Sequence, residues 1–86
     1  MFAKWQQALL AGGFQPSDQY QAAALGGALT VAGLYKSTRT VVVVTKPTQG
    51  QVAALLDKGF TLVDMSDPSK WAAQFHQYPQ IFDGVT

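Results

Sequence analysis

Apolar positions at the start of the chain follow a helical spacing. Phe2, Trp5, Ala8 and Leu9 share one face, Lys4, Gln6 and Gln7 lie off it, and Gly12-Gly13 supplies the stop. This predicts a helix over 2–11. Pro16-Ser17-Asp18 then reads as a second helix start, with Ser17 or Asp18 as cap and Tyr20, Ala24 and Leu25 as the buried stripe up to Gly26-Gly27. The predicted span is 17–25. The stretch 28–35 fits two periods. Leu25, Leu29 and Ala32 would continue a helix, whereas Leu29, Val31, Gly33 and Tyr35 would share one face of a strand. Two adjacent glycines cost about 2 kcal/mol inside a helix, which favours the strand.

The clearest element is Val41-Val42-Val43-Val44 between Thr40 and Thr45, a β-branched run without polar alternation. Such a run belongs to a strand covered on both faces, predicted over 38–46. Lys36 to Arg39 then forms a hairpin loop. Thr48 and Gln51 stand in capping-box spacing, Val52, Leu55 and Leu56 make an apolar stripe, and Gly59 suits a helix C-terminus, giving a helix at 48–58. Phe60 to Val63 returns as a strand at 60–64. The order strand, short helix, strand favours parallel pairing. Asp67-Pro68 opens a last helix at 68–77, with Trp71, Phe75 and Tyr78 on one face, Pro79 as its end and a turn at Asp83-Gly84. The expected fold is α+β: a small two-layer domain of about three strands, with helices on at least one face.

Composition narrows this picture. An 86-residue chain makes one small domain over 1–86 that can bury about 63% of its unfolded surface. Hydrophobic residues make up 48% and charged ones 13%, half the usual share, which excludes a charge-rich disordered tail. A net charge of +1 argues against nucleic acid as a partner. The absence of Cys removes disulfides, thiol nucleophiles and zinc–cysteine sites. Gln6-Gln7 interrupts the apolar start, so no signal peptide is expected. The apolar window 22–35 is too short for a membrane span of about 20 residues. A cytoplasmic protein that does not enter membranes is expected.

Candidate chemistry is sparse. His76 is the one histidine, it lies a step off the aromatic stripe, and no motif supplies it with an acid and a nucleophile. Asp64, Ser66 and Asp67 are more simply strand and cap residues than cation ligands, and neither metal nor cofactor is expected. Thr45 to Gln51 joins a strand to a helix N-terminus, the setting of an anion site, without a phosphate-loop pattern. Lys36, Arg39, Lys46 and Thr48 therefore define an alternative reading, a ligand- or nucleic-acid-binding regulator working from the strand-end loops around Lys46, Thr48 and Asp64. The first reading rests on Trp5, Trp71, Phe75, Tyr78 and Phe82. These are many large aromatics for a small, weakly charged chain, and interface centres are aromatic and depleted in charge. It predicts a non-enzymatic interaction module: a homo-oligomer, an inhibitor or adaptor, or an assembly subunit, of a kind that would suit a viral or plasmid accessory protein.

Overall fold

The valine run becomes the middle of a sheet. A computed structural model describes residues 2–24, 27 and 29–82. Among these, four strands pair in the order β1 (Gln19–Ala24), β2 (Leu29–Tyr35), β3 (Thr40–Val43) and β4 (Thr61–Asp64). β1–β2 and β2–β3 are antiparallel, and β3–β4 is parallel, with Val41 opposite Leu62 and Val42 opposite Val63. The fold is α+β. β3 is shorter than the predicted 38–46, because the turn at Lys36–Arg39 precedes it and a bend begins at Val44.

The parallel pair is joined by α2 (Gln49–Asp57), as the spacing predicts. Thr48 Oγ1 accepts from the Gln51 amide at 3.2 Å, and Gln51 Oε1 accepts from the Thr48 amide at 3.0 Å. At the other end Gly59 takes φ 83°, and Phe60 and Gly59 donate to Leu55 and Leu56, a glycine-dependent helix stop. α1 (Phe2–Ala11) also forms where expected. The segment after Asp67 divides into a 3-10 turn at Pro68–Lys70, α3 (Trp71–Gln77) and, beyond Tyr78, a short α4 (Pro79–Phe82) that opens on its proline. The turn expected at Asp83-Gly84 lies outside the described residues.

The helix expected at 17–25 is not formed; Gln19–Ala24 is strand β1. Both presumed caps are used otherwise. Ser17 Oγ donates to the Gln19 carbonyl at 2.8 Å, and Asp18 Oδ2 accepts from the Lys36 amide across the sheet at 2.7 Å. A nine-residue helix is marginal without tertiary support, whereas β1 gains a ladder from Gln19↔Leu34 to Ala24↔Leu29. The 28–35 ambiguity resolves as strand from Leu29; Leu25, Gly26 and Ala28 lie outside the described residues. Gln21 adopts φ 51° in the middle of β1. The side-chain alternation changes there, so Tyr20 packs on one side of the sheet and Ala22 on the other.

Two apolar clusters flank the sheet. Val42, Val63 and Ala32 meet Trp5 and Leu9 of α1, Trp71 and Phe75 of α3 and Phe82 of α4 on one face. On the other, Val31, Val41 and Val43 meet Leu55 of α2. This is why the run carries no polar alternation: every one of the four valines is buried. Among the described residues no helix is long and apolar enough to cross a membrane.

Candidate functional site

Four of the five aromatics expected on a partner-binding surface are core residues. Trp5 and Phe82 are 0% exposed, Phe75 2% and Trp71 8%; Tyr78 is half-buried. Trp5 Nε1 donates to Met65 Sδ at 3.2 Å, and Trp71 Nε1 donates to the Met65 carbonyl at 2.6 Å. The Phe75 ring lies 5.1 Å from Phe82 and 6.3 Å from Trp5. Trp5 of α1, Trp71 and Phe75 of α3 and Phe82 of α4 lie on one face of the sheet, so these side chains fill the same layer and pack on one another. Periodicity showed that they share faces; it did not show that those faces point inward together.

Part of the set still reaches a surface. Trp71 and Phe75 line a groove of about 330 Å³ between α1 and α3, together with Ala8, Phe14, Ala72 and His76. Phe14 stacks on Phe75 at 4.7 Å, and His76 meets the Phe14 ring edge-on at 5.5 Å. Among the described residues no Asp, Lys or Arg lines it. Sequence reading missed Phe14, which sits in a loop between Gly13 and Pro16 where no period marks it. Its signal was a large apolar side chain where a solvated loop needs none.

The alternative cluster does not assemble. Arg39 precedes β3 and Lys46 follows it, so the two lie at opposite ends of the sheet. Thr48 is engaged as the α2 cap. Asp64 Oδ1 accepts from the Ser66 amide at 3.0 Å, and the Asp64 carbonyl accepts from Gln74 Nε2 at 2.8 Å. Lys36 and Arg39 instead stand beside Leu34 and Phe60. The Arg39 guanidinium lies 5.4 Å from the Phe60 ring centroid and donates to the Lys58 carbonyl at 3.2 Å. Neither Phe60 nor Lys58 was singled out beforehand, because a helix end and a strand start carry no mark of the hairpin they will meet.

Among the described residues, two groups have displaced proton affinities. Burial pushes the Tyr35 phenol well above its usual range, with smaller contributions from Tyr20 and Asp18; its hydroxyl donates to the Gln15 carbonyl at 2.7 Å. The Ser69 hydroxyl and then its amide hold the exposed Asp67 carboxyl below its ordinary value. Asp67 therefore acts as the cap that opens the 3-10 turn. No protein-family model, curated protein or solved structure matches the chain.

Proposed function

We propose that this chain is a non-enzymatic protein-interaction module of the cytoplasm, which takes an apolar ridge of its partner into the groove between α1 and α3. The observation that carries this reading is the groove's lining. Trp71, Phe75, Phe14 and His76 line the groove, and among the described residues no Asp, Lys or Arg does. An aromatic lining depleted in charge is the composition of interface centres, where a few ring residues dominate the binding energy. The core network also holds these rings in place before any partner arrives, which lowers the ordering cost of association. The partner is another protein or a second copy, and light scattering on the purified chain separates the two.

Selection of random peptides displayed on phage, with the purified chain as bait, tests the reading. Ala72 lies exposed on α3 at the groove, so Ala72→Arg places a charged side chain across it without entering the core. Peptides enriched on the parent should carry aromatic or long aliphatic residues and lose about tenfold or more in affinity for Ala72→Arg at unchanged melting temperature. Enriched peptides that bind Ala72→Arg equally well refute the assignment, as does a library that yields none.

A further inference from the structure

The opposite face of the sheet carries a second concavity that the groove reading does not use. A pocket of about 170 Å³ opens between β1, β2 and the end of α2, walled by Ala22, Ala23, Val31, Leu34, Leu55 and Phe60. An apolar cavity of about 150 Å³ accepts a benzene ring, and drug-sized ligands need roughly 300 Å³ or more. One apolar side chain therefore fills it. Leu34 and Phe60 also wall a shallower hollow that runs on toward the β2–β3 turn, where Lys36 and Arg39 flank it; Lys58 borders the pocket itself. The two hollows make one trough along β2, apolar at Val31 and cationic at Lys36, roughly 16 Å long at strand rise.

Among the described residues no carboxylate lies within salt-bridge distance of Lys36, Arg39 or Lys58. Asp18 is engaged with the Lys36 amide, and Asp57, next to Lys58 in the chain, borders neither hollow. Arg39 is already positioned by the Phe60 ring and the Lys58 carbonyl, so it need not be ordered when an anion arrives. Nucleic acid fits less well. Three cations are few for a phosphate backbone, and the Arg39 guanidinium lies over the ring of Phe60, the aromatic that lines the hollow with Lys36 and Arg39 and on which a base could stack.

We propose that this trough binds an extended segment of a partner protein. The segment places one apolar side chain in the pocket and one or two carboxylates, roughly two to four residues further along, against Lys36, Arg39 and Lys58. The apolar contact anchors the segment, and the charges set its direction and hasten encounter.

Amide-shift titration of the isotopically labelled full chain tests this with two blocked peptides, acetyl-Gly-Leu-Gly-Asp-Asp-Gly-amide and its counterpart with Lys in place of Asp. The acidic peptide should shift Ala22, Ala23, Leu34, Lys58 and Phe60 and bind at least about tenfold more tightly than the basic one, with the difference shrinking in high salt. The double variant Lys36→Gln/Lys58→Gln, both exposed, should weaken the acidic peptide about tenfold at unchanged melting temperature. Ala22→Leu, which fills the pocket, should abolish the shifts. Equal affinity for both peptides, shifts confined to other residues, or an unaffected double variant overturns the proposal. Tighter binding of decanoate or of a single-stranded oligonucleotide at the same residues overturns it as well.

Discussion

Trp5 is held against the sheet at Gly33, and an added methyl group there measures how firmly. A Cβ on Gly33 would lie 2.8 Å from Trp5 Cη2, 3.0 Å from Cζ3 and 3.2 Å from Ser17 Cβ. Optimal carbon contacts lie near 3.5–4.0 Å, so the indole must retreat by somewhat under about 1 Å. It has little room to do so. The ring is 0% exposed, its Nε1 is bonded to Met65, and Phe75 and Tyr20 lie against it with centroids at 6.3 Å. Overpacking of this kind costs about 1–3 kcal/mol. Gly33 does not have a positive φ, so alanine fits its backbone and returns about 0.4–1 kcal/mol through the less flexible unfolded chain. At mid-range the two terms leave Gly33→Ala destabilising by about 1.3 kcal/mol. For a domain of this size that lowers the melting temperature by roughly 5–10 °C. Urea unfolding followed by tryptophan fluorescence should show a lower midpoint at unchanged slope. In a Trp5→Phe background, where the outer ring atoms are gone, the same substitution should be neutral or stabilising, giving a coupling of about 1 kcal/mol or more. A Gly33→Ala protein as stable as its parent would mean that Trp5 does not rest on β2 and is available for the surface role its sequence position suggested.

Two further outcomes follow from single groups. The Tyr20 hydroxyl is buried without a hydrogen-bond partner among the described residues, so Tyr20→Phe should raise stability by up to about 1 kcal/mol, and a drop in the urea midpoint would refute this. Tyr35 keeps its proton in the folded state because burial disfavours the phenolate. The stability it contributes is complete below the unfolded phenol value of about 10 and is lost as pH rises beyond it toward the folded value. Urea midpoints should fall above about pH 10 more steeply in the parent than in Tyr35→Phe, and equal slopes would contradict the assignment.

Several elements were legible in a few neighbouring residues, because the interactions that make them are themselves local. The β-branched run at Val41–Val44, the capping pair Thr48 and Gln51, and the stop at Gly59 each depend on partners within a turn or on backbone preference. The β3–α2–β4 unit and the four-residue hairpin at Lys36–Arg39 therefore form as read. What local signals left open was decided by contacts distant in sequence. Ser17, Asp18 and the alanines after them suit a helix, yet pairing with β2 takes up the backbone from Asp18 onward and makes β1. The aromatic stripes of α1 and α3 were visible as stripes, but the sheet's arrangement determined that both turn toward Val42 and Val63. Both concavities arise the same way. Phe14 reaches Phe75 across 61 residues of chain, and Lys58 and Phe60 come beside Arg39 because parallel pairing of β3 with β4 carries the end of α2 back to the hairpin. Helix and strand propensities act over a few residues, whereas a surface is made by whichever segments the packed core brings side by side.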